Sequence, residues 1–415
     1  MKVFKFGGAS VKDADGVKNV LRVLKHEGFK NTLIVISAMG KMTNAFEKIV
    51  NAYCEKNLEV NKNIEFVKNF HLEIVNELFY NKNHPIFSEI EIIFGQLSGF
   101  LISNKKSDYN FIYDQIVGFG ELLSTKIVYH FLNENNLESN WLDVREFIVT
   151  DSHFRDANVN WEITAKNITS INTSQLYITQ GFLGSDNKGN TTTLGREGSD
   201  YTAAIFAYCL NVKSLTIWKD VDGVLNADPR HFEKCTLLQQ ISYSEAIEMA
   251  FYGASVIHPK TLKPLENKNI PLYVRSFYDL DKNGTAVLKG KDIIPEIPCF
   301  ILKKNQKLIS ISALDFSFMA ENNLSDIFKI LYNYKLKVNL IQNSALSFSV
   351  CIEDKFNNFA LLIRELKLSY KVDFLEDVSL YTIRHANDIS ISEIENKGKV
   401  LLKQSTMGIV KVVMQ

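Results

Sequence analysis

The chain has 415 residues, 46% hydrophobic and 23% charged, which is globular composition and too long for one ordinary domain. Lys and Arg total 47 and Asp and Glu total 47, so no global charge recommends nucleic acid or an anionic membrane as a partner. Five scattered cysteines (Cys54, Cys209, Cys235, Cys299, Cys351) form no C-x-x-C pair, which points to reduced thiols in a cytoplasm, not to a disulfide framework or a zinc site.

Residues 2–6 read as a short buried strand ending at Gly7-Gly8. Lys2 and Lys5 interrupt that apolar start, so no secretory leader is expected. No run of 18 apolar residues is free of charge, so no membrane span is expected either. Val17, Val20, Leu21 and Leu24 share one helical face. Residues 32–36 are an apolar run suited to a strand buried on both sides of a parallel sheet, and strand, helix, strand begins a right-handed βαβ unit. Residues 44 to about 135 read as mostly helical. Strand patterns recur at 141–144, 176–179, 214–218 and 272–274, with helical patterns at 199–210 and 243–253. The sum is α/β architecture with a mostly parallel sheet.

The texture changes near Cys299, after a stretch marked by Gly290, Pro295 and Pro298. Strands at 307–311, 338–341, 346–350 and 371–375 and helices at 321–333 and 357–368 follow in βαββαβ order, a ferredoxin-like unit. The tail has strand patterns at 378–383, 399–404 and 409–414, with room for one brief helix near 390–396. The expected division is 1–295, 300–376, and a short, incomplete repeat of the second unit at 377–415.

Four loops at strand ends hold the candidate chemistry. Lys5 is followed by Gly7 and Gly8, where backbone amides can approach an anion. Read alone, this serves equally as a turn. Neither a P-loop nor a G-x-G-x-x-G motif is present. Ser37 and Thr43 flank a second loop that enters a helix and could hold a carboxylate or phosphate; plain capping by Thr43 or Asn44 explains the same residues. Gly195-Arg196-Glu197-Gly198-Ser199-Asp200 opens a third helix as an anion clamp, or as a capped helix with an incidental arginine. Lys219-Asp220 begins the fourth loop, which runs through Leu225 to Arg230 and suits a nucleotide rim or an ordinary turn. Four such loops in one α/β domain converge on one crevice beyond the carboxyl ends of the strands.

With these residues in view, the sequence resembles the aspartokinases of the amino-acid kinase superfamily. The motifs are Lys-Phe-Gly-Gly-x-Ser-Val at 5–11, Ser-Ala-Met-Gly-Lys-x-Thr-Asn at 37–44, Gly-Phe-Gly-Glu-Leu at 118–122 and Trp-x-Asp-Val-Arg at 141–145. To these add Thr-Gln-Gly-Phe-x-Gly at 179–184, Leu-Gly-Arg-x-Gly-Ser-Asp-Tyr at 194–201, Asp-Val-Asp-Gly-Val at 220–224 and Asp-Pro-Arg at 228–230. The resemblance implies a three-layer amino-acid-kinase sandwich followed by an ACT-type regulatory region. It also implies transfer of the γ-phosphoryl of MgATP to the side chain of L-aspartate, in a cytoplasmic homodimer joined through residues 300–415. At this length no fused homoserine dehydrogenase is expected.

By the same resemblance, Lys5 stabilises the transferred phosphoryl and Asp200 orients either Lys5 or the magnesium shell. Ser37, Thr43, Glu121, Phe182, Arg196 and Ser199 would hold aspartate, with Glu121 on the α-ammonium and Arg196 on a carboxylate. Lys5, Gly7, Gly8, Lys219, Asp220, Leu225, Arg230, Ser255 and Val256 would hold the nucleotide, with Mg²⁺ carried by its phosphates and no protein metal site. Three positions depart from the pattern. Ser255 stands where relatives often place a lysine, Leu225 where many have tyrosine, and Glu197 where many have glycine. Lys260 is the cation available to replace the missing charge, and His258 reads as structural. Kinases of glutamate or an acetylated glutamate, and a non-catalytic sensor, are the competing readings. Glu121 argues against an acetylated amine, and intact Lys5 and Asp200 against a sensor. Asn339 and Ala345 stand where acidic residues would grip a lysine effector, so weak or absent lysine inhibition is expected, with threonine or another neutral amino acid still open.

Overall fold

A computed structural model describes every residue except Ser255, Val256 and Phe316. The chain divides into two units: Met1–Val224 with Leu237–Ile247 and Val256–Ile294, and Leu225–Thr236 with Glu248–Ser255 and Pro295–Gln415. The loop bearing Leu225 and Arg230 thus belongs to the second unit.

The first unit is built on an eight-stranded sheet. Its strand order is Asn140–Leu142, Leu176–Gln180, Thr32–Ile36, Lys2–Phe6, Leu215–Lys219, Leu272–Ser276, Thr285–Leu288 and Gln240–Ser242. All neighbours run parallel except the pair Leu272–Ser276 and Thr285–Leu288. Parallel central strands are buried on both faces, as the run Thr-Leu-Ile-Val-Ile requires. Phe4, Phe6, Ile34 and Ile36 share one core with Val17, Leu24 and Ile127, from the helices Ala14–Glu27 and Phe119–Glu134. The alternate residues Val3, Leu33 and Val35 are equally buried and face the other side. There the helix Gly198–Cys209 lies on the two strands. Lys5 has the parity of Val3, so its side chain leaves the sheet towards that helix.

The helix Pro85–Ser103 is, by length and composition, apolar enough to cross a membrane. Its Ile86, Ile90, Ile93, Phe94 and Leu97 are buried in the core of the first unit.

The second unit is one six-stranded antiparallel sheet, ordered Lys337–Asn343, Ser347–Glu353, Cys299–Ala313, Tyr370–Arg384, Ile409–Met414 and Val400–Thr406. The helices Glu321–Asn333 and Phe359–Leu366 complete the ferredoxin-like part, and Asp388–Glu395 is the one brief helix of the tail. Two strands of 15 residues each run through both parts. The sequence pattern broke them into shorter pieces because their register shifts between Lys303 and Leu308. Asn305 (φ 56°) and Asp377 (φ 57°) take left-handed backbone there, which interrupts the in–out alternation.

Close backbone approach fixes the loops beyond the sheet. A Cβ on Gly8 would stand 2.6 Å from the Gly40 carbonyl oxygen and 2.7 Å from that of Ala38. Gly8→Ala is therefore expected to cost about 1–3 kcal/mol by overpacking, seen as a lowered melting temperature. Gly95→Ala, in a helix where a Cβ meets open space, should instead stabilise by roughly 0.5–1 kcal/mol. Equal melting temperatures for the two variants would contradict this account of Gly8.

Candidate active site

Because the central strands are parallel and in register, Phe6, Ile36 and Gln180 end their strands level with Trp218, one residue before the end of its own. The loops that follow enclose a cavity of about 250 Å³. Lys5, Gly8, Ser37, Ala38, Gly40 and Thr43 form one side of its lining, with Glu121 and Phe182; Gly195 and the run from Glu197 to Asp200 complete it.

Lys5 Nζ lies 2.7 Å from Asp200 Oδ1, both side chains almost fully buried. Burial works against a charged Asp200, but Lys5, and next Lys219, hold its carboxyl below the usual carboxylate range. The contact is the geometry that an Asp200 orienting Lys5 would need. Gly7 sits beside the pair, for a Cβ there would be 3.3 Å from Lys5 Nζ.

Glu121 is in the first turn of Phe119–Glu134 and 2% exposed. Its Oε1 accepts the Ala38 N–H at 3.3 Å. Its Oε2 is buried with no hydrogen-bond partner among the described residues. Burial pushes the carboxyl up to about 8. An unpaired buried carboxylate oxygen in the wall of a cavity suits a cation brought by a ligand.

Thr43 does not cap its helix. Met42–Cys54 starts behind Lys41, with no side-chain cap at all, so neither Thr43 nor Asn44 has the capping role weighed above. The Thr43 side chain belongs to the cavity lining instead. Ser37 fixes the entry to its helix through its carbonyl, which accepts from Ser124 Oγ at 2.8 Å. Phe182 is left-handed (φ 72°), and its N–H donates to Thr202 Oγ1 at 2.9 Å. Gly181 is obligatory beside it: a Cβ would stand 2.4 Å from that of Ser199.

Other residues lie elsewhere. Arg196 is exposed and outside the cavity lining. Lys219 ends the strand Leu215–Lys219, close enough to act electrostatically on Asp200, and Asp220 next to it is exposed. Arg230 is exposed and forks onto Asp228 (Nε to Oδ1, 3.0 Å), while Leu225 is half-buried in its own unit. Ser255 and Val256 lie outside the described residues. Lys260 is not a spare cation, for its ammonium is paired with Asp156. His258 is structural, as read: its Nδ1 accepts the Lys260 N–H at 3.2 Å and caps Pro259–Asn267.

Sequence reasoning missed Asp114 and Thr202. Asp114 is fully buried and accepts from the Arg155 N–H and from the N–H and Oγ1 of Thr193, anchoring the strand that leads into the 195–200 loop. Its signal was a lone acid within Phe-Ile-Tyr-Asp-Gln-Ile-Val. Among the described residues, no group of three or more His, Cys, Asp or Glu is placed to hold a metal ion.

Residues 1–276 match the amino acid kinase family. The lysine-sensitive aspartokinase 3 of Escherichia coli is 31% identical, over 94% of this chain and 87% of its own. The chain belongs to the amino acid kinase family, within its aspartokinases. Crystal structures of E. coli aspartokinase III superpose with TM-scores of 0.81 for a complex with lysine and aspartate and 0.80 for one with aspartate and ADP. Each is 28% identical and covers 100% of this chain and 96% of its own.

Glu121 yields a signed prediction. Its carboxyl is held above its ordinary value in the fold, so the folded protein binds a proton more tightly than the unfolded chain does. Stability is lost as pH rises from the unfolded value towards about 8. Glu121→Gln removes that loss while keeping the shape. The variant's melting-temperature advantage over the parent, without ligands, should grow between about pH 5 and pH 8. A pH-independent difference would contradict the assignment.

Proposed function

We propose that the protein transfers the γ-phosphoryl group of ATP to the side-chain carboxylate of L-aspartate, giving 4-phospho-L-aspartate, the first step towards lysine, threonine and methionine. The observation that carries this reading is the buried, unpartnered Glu121 Oε2 in the same cavity as the Lys5–Asp200 pair. A free α-amino acid brings the ammonium that this oxygen lacks. Thr43 and Ser199 offer hydroxyls to the substrate, and Arg196, at the rim, closes on a carboxylate when substrate binds.

An aspartate carboxylate is already ionised at neutral pH, so no general base is needed. Its oxygen bonds to the γ-phosphorus as the bond to the ADP oxygen breaks, with no proton transferred. Catalysis then rests on positioning and charge neutralisation. Lys5 neutralises charge on the moving phosphoryl, Asp200 keeps Lys5 aimed, and the amides of Gly7 and Gly8 add donors. Lys219 and Asp220 border the nucleotide, and Leu225 and Arg230 are further candidates for it by the family resemblance alone. Mg²⁺ carried by the ATP phosphates would supply further charge neutralisation. Composition supports a cytoplasmic enzyme. The strands Lys337–Asn343 and Val400–Thr406, as edges of the second sheet, offer unpaired backbone for a homodimer through residues 300–415.

A hydroxamate assay with MgATP and L-aspartate, L-glutamate or N-acetyl-L-glutamate tests the reading; turnover confined to an acetylated acceptor would overturn it. In that assay Lys5→Ala should lose roughly 10²–10³ in kcat while circular dichroism shows the fold intact, because Lys219 still acts electrostatically on Asp200. A loss below about tenfold would remove Lys5 from the transition state.

Regulation can be read from Asn339. Its Oδ1 accepts from Lys303 Nζ at 2.8 Å and its Nδ2 donates to Gln306 at 2.7 Å, so this amide is engaged within the chain. An ammonium effector would have to compete with Lys303 for that oxygen, and hydrogen bonds to charged groups contribute about 1.5–3 kcal/mol each. Sub-millimolar lysine should leave the rate unchanged; strong inhibition in that range would refute the inference.

A further inference from the structure

Glu197 is in the cavity wall, between Arg196 and Ser199, and no role follows for it from the reaction itself. Its backbone is left-handed (φ 55°, ψ 28°). Glycine takes that conformation freely, whereas a residue with a Cβ is held in it only by its surroundings. What holds Glu197 is specific. Its Oε2 accepts the backbone N–H of His258 at 2.9 Å. His258 caps the helix Pro259–Asn267, so the carboxylate sits at the positive end of that helix.

A second fastening acts on the same turn. Lys260, in the first turn of that helix, is ion-paired with Asp156. Asp156 in turn lies so close to Gly195 that a Cβ there would be 2.4 Å from its Oδ1. Gly195 leans on Asp156, Glu197 on His258, and Arg196 is the exposed residue between them. The helix bearing Ser199 and Asp200 begins immediately afterwards.

We propose that Glu197 is a positioning residue: its carboxylate straps the Gly195–Gly198 turn to the start of the helix Pro259–Asn267, and so sets Arg196 and Ser199 for the substrate. The consequence for substrate rests on the aspartate reading; the strap itself does not. Left-handed backbone that glycine would occupy without strain is here taken by a residue with an acceptor to spend on a neighbouring helix.

Three variants test it: Glu197→Gln, which keeps a side-chain oxygen acceptor, Glu197→Ala and Glu197→Gly. Glu197→Ala and Glu197→Gly should raise the aspartate KM about tenfold, with the ATP KM and kcat within about twofold of the parent, and Glu197→Gln should restore the parental KM. Glu197→Gly also relieves the strained backbone, so its melting temperature should not fall, which separates positioning from stability. An unchanged aspartate KM in Glu197→Gly, or a Glu197→Gln variant as impaired as Glu197→Ala, would overturn the proposal. Amide hydrogen exchange across residues 194–199, measured without substrates, should be faster in Glu197→Ala than in the parent and in Glu197→Gln. Equal rates would overturn the strap, whereas a parent protein inactive on aspartate would overturn only the substrate reading.

Discussion

The buried ion pair of Lys5 with Asp200 is the constraint around which the catalytic unit is organised. Removing two charges from water costs several kcal/mol per ion, so such a pair is poor evidence of stabilisation. It persists because a strand end and a helix start are brought to 2.7 Å by the packing of Val3, Leu33 and Val35 beneath that helix. With Lys219 also acting on Asp200, the local balance is positive. In the proposed reaction a phosphoryl group entering there would meet a cation that is already oriented, with little reorganisation needed as charge develops.

Glu121 is the opposite case. It is an acid held in the wall with one oxygen bonded and the other bare, and its own environment resists ionisation. In the proposed complex an incoming ammonium would offset that penalty, and part of the substrate's binding energy would go to ionising the site. The close approach of Gly120 to Ala38, where a Cβ would stand 3.0 Å from that of Ala38, sets the distance between the helix and the loop that share this carboxylate. The two acids therefore divide by environment: Asp200 is charged by its neighbours, and Glu121 is kept near neutrality until a partner arrives.

Much of this was legible in the sequence, for physical reasons that can be named. The runs at 2–6 and 32–36 are strands buried on both sides, and their glycine-rich exits must be loops. Glu121, Lys5, Asp200, Thr43 and Ser199 do converge on one cavity. Short strands such as Val149–Thr150, Leu183–Asp186 and Thr191–Thr193 escaped notice because two to four residues give no periodicity to detect. The side-chain partners were illegible for another reason. That Lys260 turns to Asp156, that Arg196 faces solvent and that Asn339 is engaged by Lys303 depend on tertiary approach, not on spacing along the chain. The domain boundary was blurred because residues 225–236 and 248–255 associate with the second unit, although they lie within the catalytic sequence.

Two of the chain's left-handed non-glycine residues stand where the substrate would sit. Phe182 and Glu197, both left-handed, flank the start of the helix Gly198–Cys209 and line the same cavity. Each is restrained by a group outside the cavity lining. Thr202 Oγ1 accepts from Phe182 and donates to the Gly198 carbonyl at 3.0 Å, and the His258 N–H meets Glu197. Asp114 does the same one step further out, gathering Thr193 and Arg155 beneath the loop. Backbone conformations of this kind persist only when the surroundings over-determine them. The precision of the site therefore resides in hydrogen bonds behind the wall, in residues that never meet the phosphoryl group, which is why motif residues alone describe what reacts and not what holds it in place.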